Sequence, residues 1–195
     1  MRLIGLTGGI GMGKSTAAAV FRGTHLPVFD ADRAVRALQA KGGTAVPLIA
    51  AAFPGAVRDG AIDRPRLRAA VLGQAEALAR LEAIIHPLVR AAERRFIAAA
   101  RRHGARAAIL DIPLLFETGG SRRVDAVIVV SAPASVQRAR VRARGQMTDA
   151  EITAILARQM PDAEKRRRAD LVVRTGLSRH HAWRQLRRFL LGMFA

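Results

Sequence analysis

The stretch Gly8-Gly9-Ile10-Gly11-Met12-Gly13-Lys14-Ser15 follows the apolar run 3–6 and precedes the alanine-rich segment 16–21. Glycines at its first and sixth positions, followed by Lys and Ser, form the pattern of a loop that binds nucleotide phosphates. The glycines permit backbone conformations in which successive N–H groups turn inward around phosphate oxygens at a helix N-terminus. The flanking patterns predict a strand before the loop and a helix after it, which is the context that such a site requires.

Two side chains of this loop are predicted to have separate roles. Lys14 is expected to reach the β- and γ-phosphates of a nucleotide, and Ser15 is expected to ligate Mg²⁺. A glycine-rich turn that only happens to fit the pattern is the alternative. The predicted ATP-binding residues of the loop are Gly9, Ile10, Gly11, Met12, Gly13, Lys14, Ser15 and Thr16.

The composition limits the classes of protein to which this chain can belong. A chain of 195 residues, 50% of them hydrophobic, can bury a full core and favours one domain with an inserted subdomain. The absence of cysteine excludes a disulfide scaffold, thiol catalysis and thiolate metal sites. No apolar run approaches the ~20 residues of a membrane span and no signal peptide is visible. The sequence therefore predicts a cytoplasmic protein with no membrane partner.

The formal net charge of +18 is compatible with nucleic acid, an anionic membrane surface or small polyanionic substrates as partners. The arginines are spread along the whole chain, and an aromatic content of 4% offers little stacking surface for single-stranded nucleic acid. We expect most arginines to be solvated surface residues and a minority to line an anion site. No nucleic-acid partner is expected.

Short apolar runs alternate with helical patterns, which predicts an α/β fold with a parallel five-stranded sheet flanked by helices. The core is expected to comprise about 1–32, 106–136 and 161–195, with strands near 3–6, 27–29, 107–110, 125–130 and 171–173. The second strand ends in Asp30-Ala31-Asp32, at an edge of the sheet where ligands bind. One of these carboxylates is expected to cap the next helix, which leaves the other available for chemistry.

Residues 33–105 show helical patterns near 33–40, 44–52, 63–72 and 74–103 and no clear strand. This is longer than a usual crossover between parallel strands, so we predict a helical insertion that bears substrate contacts. Pro87 is expected to interrupt the last of these helices, because proline lacks an N–H and disfavours helix at His86. A lone histidine is more often structural, and composition alone leaves the role of His86 open.

Two further features adjoin the predicted phosphate site. Asp111 ends the third predicted strand beside the loop, where it is placed to contact Mg²⁺ through water; a strand-end cap is the alternative. Segment 137–160 carries four arginines, including Arg140, before Gly145, and then a helix capped by Thr148 and Glu151. A charge run is usually a solvated face, but this shape predicts a small hinged lid that brings arginine onto phosphates.

Six motifs stand in order along the chain: Leu6 to Gly11 with Lys14-Ser15-Thr16, Asp30-Ala31-Asp32, His86-Pro87-Leu88, Pro113-Leu114-Leu115-Phe116-Glu117, the lid arginines with Gln159, and Ala169-Asp170. In this order and spacing they resemble the dephospho-CoA kinase family over nearly the full chain. The phosphate loop alone is typical of a very large superfamily, whereas the ordered set is far more specific. One departure is the turn Arg174-Thr175-Gly176, where many relatives carry Asn or Asp. Whether this turn contacts the adenine of ATP therefore stays open.

The resemblance implies a P-loop kinase fold in which 33–105 forms the CoA-binding domain. It also implies phosphoryl transfer from MgATP to the ribose 3′-hydroxyl of dephospho-CoA, giving CoA and ADP. The implied catalytic residues are Asp32, Lys14 and Arg140, with Arg140 also binding ATP. The implied substrate-binding residues are Asp32, His86, Pro87, Leu114 and Glu117, and the metal ligands are Ser15 and Asp111.

Three alternatives stay open at this point. Another nucleoside or nucleotide kinase shares the loop and the lid but does not predict the other motifs in combination. A nucleic-acid-dependent NTPase would use the positive charge and predicts salt-sensitive binding to DNA or RNA. A nucleotide-binding protein without turnover would require Asp32 to be idle. The oligomeric state is not predicted by the sequence.

Overall fold

The structure, a computed structural model, describes residues 1–145 and 148–194. The strands, numbered along the chain, are β1 (Arg2–Thr7), β2 (Val28–Asp30), β3 (Val57–Arg58), β4 (Ala61–Ile62), β5 (Ala107–Asp111), β6 (Ala126–Ser131) and β7 (Leu171–Arg174). The α-helices are α1 (Lys14–Arg22), α2 (Ala31–Gln39), α3 (Val46–Ala52), α4 (Arg64–Val71), α5 (Ala75–Arg102), α6 (Ala134–Arg142), α7 (Asp149–Arg158), α8 (Asp162–Arg167) and α9 (Arg179–Phe194). No helix in these described ranges is both long and apolar enough to cross a membrane.

Five of the strands form one sheet in the order β2-β5-β1-β6-β7. The central strand β1 pairs in parallel with β5 and with β6, and β6 pairs in parallel with β7. All of β5 and nearly all of β6 are buried, as expected for strands in a parallel sheet that is covered on both faces. The predicted α/β fold with a parallel five-stranded sheet is confirmed.

Contacts divide the chain into two compact units, one of residues 1–29 with 100–195 and one of residues 30–99. The core of the first unit lies between the sheet and the helices α1 and α9. Its fully buried side chains include Ile4 and Leu6 of β1, Phe21 of α1, Ile128 of β6 and Leu186 of α9. Apolar burial of this kind supplies ~25 cal/mol per Å², and it holds β1 and α1 on either side of the phosphate loop.

The second unit has a core of its own, centred on Ile49 of α3 and Leu67 of α4. The prediction that this region holds no strand is wrong, because β3 and β4 form an antiparallel hairpin in which Val57 pairs with Ile62. The turn is Asp59-Gly60, with φ of 51° and 78°. An Asp-Gly pair suits such a two-residue hairpin turn, but strands of two residues are too short to show an alternating pattern.

The helix α5 runs unbroken from Ala75 to Arg102 with Pro87 inside it. The prediction that Pro87 interrupts the helix is therefore wrong. An interior proline costs a helix ~3 kcal/mol. Apolar side chains on both sides of Pro87 pack into the core of this unit, and full burial of a leucine, isoleucine or valine side chain contributes ~1.5–3 kcal/mol. They are Ala77, Leu81, Ile84, Ile85, Leu88 and Val89.

Candidate active site

The phosphate loop joins the end of β1 to the start of α1, as predicted. Gly11 and Gly13 have φ of 74° and 89°, a region that favours glycine, and Gly13 is the residue that caps the N-terminus of α1. A Cβ on Gly11 would lie 2.7 Å from Cγ2 of Val141 and 2.8 Å from the carbonyl oxygen of Gln137. The shape of the loop therefore depends on glycine through both conformation and space.

The loop ends at the N-terminus of a helix. The first N–H groups of a helix lack the usual partner four residues back, and the helix dipole makes this end positive. Here the Thr16 N–H instead donates to the Gly13 carbonyl oxygen at 3.1 Å. Lys14 and Ser15 are the first two residues of α1, and Ser15 is exposed. Such an end binds phosphate through backbone N–H groups as well as side chains.

Two of the predicted site residues lie in direct contact. The Lys14 Nζ atom is 2.6 Å from Oδ1 of Asp111, with side chains 16% and 5% exposed. The pairing follows from the parallel register, which sets Asp111 opposite Leu6 at the end of β1. Asp111 thus borders the phosphate loop as predicted, and in this structure its carboxylate holds the lysine ammonium.

The oxygen atoms near the loop are suited to Mg²⁺, which prefers hard oxygen ligands and keeps several waters. Ser15 offers a hydroxyl and Asp111 offers a carboxylate. Among the described residues, no group of three or more His, Cys, Asp or Glu side chains is placed to hold a metal ion. A hydroxyl and a carboxylate are hard oxygen donors of the kind that fit an ion which keeps several of its waters.

The loop is also fixed from the side of β7. Thr175 Oγ1 donates a hydrogen bond of 2.6 Å to the carbonyl oxygen of Met12, and the Met12 side chain is buried. Arg140 on α6 donates to the Thr175 carbonyl oxygen at 2.7 Å and to Oγ1 at 3.3 Å. Arg140 is therefore linked to the loop through Thr175. Thr175 was not predicted as a site residue, although its turn was singled out for its unusual sequence.

Two glutamines hold the backbone of one loop residue, Ile10, through the peptide groups on either side of it. The Ile10 N–H donates to Oε1 of Gln159 at 3.2 Å, and the Ile10 carbonyl oxygen accepts from Nε2 of Gln137 at 2.8 Å. Gln159 belongs to a motif found in the sequence, but Gln137 was missed. No local pattern marks Gln137, because its partner is 127 residues away in the chain.

The segment 137–160 contains the last six residues of α6 and all of α7, and its residues 146 and 147 lie outside the described part of the chain. The predicted cap of α7 is confirmed. Thr148 accepts the Glu151 N–H, and the Glu151 side chain accepts the Thr148 N–H. The two hydrogen bonds satisfy donors that the start of the helix leaves open.

Glu117 makes internal contacts that fix the end of this segment. Its Oε1 atom accepts the Met160 N–H at 2.9 Å and lies 2.8 Å from Nζ of Lys165, which is buried in α8. Burial raises the pKa of Glu117, but the lysine and backbone N–H groups outweigh it, so its pKa lies below the ordinary 4.5. Leu114, in the same motif, is 39% exposed.

A cavity of about 850 Å³ adjoins the loop within the unit that contains the sheet. Its wall includes the ends of β6 and β7 and the start of α6, and Arg166 and Arg174 supply positive charge. The lining residues include Met12, Ser131, Pro133, Gln137, Asp162, Gly176 and Leu177. The Arg174 to Gly176 turn, whose nucleotide contact the sequence left open, thus lines a cavity large enough for a small ligand.

The remaining predicted residues lie in the unit of residues 30–99. Asp30 accepts the Arg33 N–H at 2.8 Å and caps α2, which confirms that one carboxylate of the pair serves as a cap. Asp32 is exposed in the first turn of α2 and is not used by this cap. His86 and Pro87 are exposed on α5. His86 is therefore not held in a core.

Comparison with known proteins gives consistent results. A sequence profile described as dephospho-CoA kinase matches residues 2–179. A dephospho-CoA kinase of Mesorhizobium japonicum is 58% identical over 176 residues, which cover 90% of this chain and 88% of the relative. The crystal structure of TT1252 from Thermus thermophilus aligns with a TM-score of 0.85 and 34% identity, covering 100% of this chain and 98% of the other.

A dephospho-CoA kinase from Campylobacter jejuni aligns with a TM-score of 0.68 over 98% of this chain and 96% of its own, at 20% identity. This last likeness shows the fold alone, and it confirms the predicted P-loop kinase architecture. The profile spans most of the chain and the Mesorhizobium relative is more than half identical. On these grounds the chain belongs to the dephospho-CoA kinase family.

Proposed function

We propose that this protein transfers the γ-phosphoryl group of MgATP to the ribose 3′-hydroxyl of dephospho-CoA, giving CoA and ADP. The 3′-oxygen bonds to the γ-phosphorus, the bond from that phosphorus to the β–γ bridging oxygen breaks, and the hydroxyl proton is released. The observation that supports this best is a glycine-shaped phosphate loop with Lys14 at a helix N-terminus, in a chain of this family. Positioning and charge neutralisation supply most of the catalysis in such reactions.

ATP phosphates are proposed to bind along the backbone of Gly9 to Thr16. Lys14 would exchange its carboxylate partner Asp111 for the β- and γ-phosphates, since both partners are anionic and the phosphates carry more charge. Arg140 is proposed to balance charge on the transferred group from its place beside Thr175. The adenosine part of ATP is proposed to enter the cavity that Arg174 and Gly176 line.

Mg²⁺ is proposed to be held by Ser15 directly and by Asp111 through water. The ion would neutralise charge on the β- and γ-phosphates. Ser15 suits this role because its hydroxyl is exposed at the first turn of α1. Asp111 suits it because its carboxylate already lies beside the lysine that serves the same phosphates.

The acceptor substrate is proposed to bind through the helical unit, about residues 33–105 in the sequence. Asp32 would orient or deprotonate the attacking hydroxyl, which fits a carboxylate that is exposed and not used as a cap. His86, Pro87 and Leu114 would contact the CoA part of the substrate, and all three side chains are exposed. Glu117 is proposed for the same set through the carboxylate oxygen that does not bond Met160.

ATP and dephospho-CoA are thus the proposed small-molecule partners. The cytoplasmic location expected from the sequence stays a prediction, as does the expectation that no nucleic acid takes part.

The test is an assay of ADP release in which dephospho-CoA, adenosine, AMP and single-stranded DNA are offered separately. We expect release with dephospho-CoA alone, and mass spectrometry should find CoA as the product. Release with adenosine or AMP in place of dephospho-CoA would favour another nucleoside or nucleotide kinase. Release stimulated by DNA would favour a nucleic-acid-dependent NTPase.

A further inference from the structure

The two glutamines that hold the Ile10 backbone come from opposite ends of the arginine-bearing segment 137–160. Gln137 lies in the first half of α6 and is 7% exposed, and Gln159 directly follows the last residue of α7. Arg140 stands one turn after Gln137 on the same helix. The backbone of one residue of the phosphate loop thus contacts both ends of the segment that carries Arg140.

The glutamines make opposite kinds of hydrogen bond. Gln137 donates to the Ile10 carbonyl oxygen, and Gln159 accepts from the Ile10 N–H, so both polar groups of this residue are satisfied by side chains. A Cβ on the preceding Gly9 would lie 3.1 Å from the Gln137 amide nitrogen and 3.2 Å from the Gln159 amide oxygen. The side-chain amides of both glutamines therefore lie close to the loop at Gly9.

The position of Gln159 is itself fixed by its neighbour. The Met160 N–H is bonded to Glu117, and Glu117 is paired with the buried Lys165. The backbone at Gln159 and Met160 is thus anchored to the loop that follows β5 and to α8. An anchored side chain can order the phosphate loop more effectively than one on a free segment.

We propose that Gln137 and Gln159 are positioning residues of the ATP site, an inference that rests on the proposed function. They fix the Ile10 backbone, and with it the course of the loop toward the N-terminus of α1, where the phosphates are proposed to bind. Four of the six positions 8–13 are glycine, so this backbone has wide freedom and needs an external restraint before ATP arrives. Through the Ile10 backbone, nucleotide binding is tied to the two ends of the segment that carries Arg140.

A matched pair of substitutions tests this inference. Gln137→Glu and Gln159→Glu each keep the size of the side chain and add the same negative charge near Gly9. A carboxylate at 159 still accepts the Ile10 N–H, whereas a carboxylate at 137 faces the Ile10 carbonyl oxygen and has no proton to donate. The comparison therefore separates the hydrogen bond from the added charge.

We expect the dissociation constant of MgATP, measured by calorimetry, to rise about tenfold more for Gln137→Glu than for Gln159→Glu, as for loss of one hydrogen bond that leaves an unpaired acceptor. The KM for dephospho-CoA should change less than the KM for ATP in both variants. Equal rises in the two dissociation constants, or equal rises in both KM values together with a lower melting temperature, would overturn the proposal.

Gln137→Ala decides the case if Gln137→Glu does not fold, because it removes the donor without adding a charge. Its ATP affinity should fall while its melting temperature without nucleotide stays close to that of the original protein. Unchanged ATP affinity in this variant would also overturn the proposal. If the original protein binds MgATP but does not phosphorylate dephospho-CoA, the proposed function fails while the calorimetric comparison still tests the two glutamines.

Discussion

Lys14 Nζ lies 2.6 Å from Asp111 Oδ1, and this contact joins the phosphate loop to the end of β5. Both side chains are largely removed from water, so the loss of one partner costs more free energy than the loss of a surface ion pair. It also holds the lysine ammonium at the helix end where phosphate is expected. The same contact thus serves the fold and prepares the proposed ATP site.

We predict that Lys14→Ala abolishes turnover and also lowers the free energy of unfolding. Asp111 loses its ammonium partner while its side chain stays buried, and breaking a buried pair in this way costs about 3 kcal/mol. For a chain of this size that loss lowers the melting temperature by roughly 6–12 °C. Calorimetric melting and ADP release measure the two effects.

The double variant Lys14→Ala with Asp111→Asn is the control. Removing the carboxylate charge as well should restore a large part of the lost stability, because the buried negative charge that faced Lys14 is then gone. Turnover should stay abolished. A double variant that is no more stable than Lys14→Ala would show that the pair does not contribute as its geometry suggests.

Glu117 should give the unfolding equilibrium a dependence on acid pH. Its pKa in the folded chain lies below the ordinary 4.5, so its stabilising contribution is complete above 4.5 and is lost as the pH falls through the folded value. Denaturation by urea at a series of pH values should show this loss in the original protein. In Glu117→Gln that part of the acid dependence should be absent.

At neutral pH the same Glu117→Gln variant should be less stable by about 3 kcal/mol, because the buried Lys165 loses its counter-charge. The amide still accepts the Met160 N–H, so the backbone bond is kept. A variant with the original stability at neutral pH would argue against a stabilising ion pair at this position.

The parts of the fold that the sequence predicted are those with strong local signals. The strand, loop and helix around Lys14 are marked by glycine spacing and an apolar run, and the cap of α7 is marked by Thr148 and Glu151. Asp111 was placed beside the loop because parallel strands end at the same edge. Each of these inferences needs only neighbouring residues or the general form of the sheet.

Contacts between distant parts of the chain were not predictable in the same way. The bonds of Gln137 to Ile10 and of Thr175 to Met12 join residues 127 and 163 positions apart. Pro87 shows the opposite case. Proline disfavours a helix interior, but the packing of apolar side chains on both sides of Pro87 outweighs this local preference. The ion pair of Glu117 with Lys165 likewise shows an internal role that a motif alone does not reveal.

Pro87 and His86 can be separated by experiment because both are exposed. Pro87→Ala should raise the free energy of unfolding by up to about 3 kcal/mol, since it restores a helical hydrogen bond and removes a steric clash.

His86→Ala should leave stability within about 0.5 kcal/mol and raise the KM for dephospho-CoA more than that for ATP. Equal KM effects with lowered stability would return His86 to a structural role.

Arg140 and Thr175 offer a similar comparison. Arg140→Ala should lower kcat by about 10²- to 10³-fold, less than the largest arginine-finger effects, if its charge acts on the transferred phosphoryl group. Thr175→Val removes the hydroxyl that bonds Met12 but keeps Arg140 and the Thr175 backbone carbonyl, so kcat should fall much less. Single-turnover kinetics measure the chemical step. Equal losses in the two variants would indicate that Arg140 only fixes the turn.

Asp32 and Asp30 supply the final comparison. Asp32→Asn keeps the size of the side chain but removes the charge and the basicity. If Asp32 orients or deprotonates the attacking hydroxyl, kcat should fall by roughly 10²- to 10⁴-fold, the range of general-base loss, with little change in either KM. Asp30→Asn should have a mild effect, because Asn caps a helix as well as Asp does and Asp30 is the residue that caps α2.

A series of Mg²⁺ concentrations distinguishes the ways in which Asp32 can act. The transition state of phosphoryl transfer is loose in most analyses, so the hydroxyl proton leaves late and orientation can matter more than basicity. An orienting or basic Asp32 gives a kcat deficit that Mg²⁺ does not change, whereas an Asp32 that holds Mg²⁺ through water gives a deficit that added Mg²⁺ partly restores. Because Asp32 is exposed and leaves the cap to Asp30, the Asp32→Asn chain should melt at nearly the original temperature. Near-original kcat for Asp32→Asn at every Mg²⁺ concentration would remove Asp32 from the proposed mechanism.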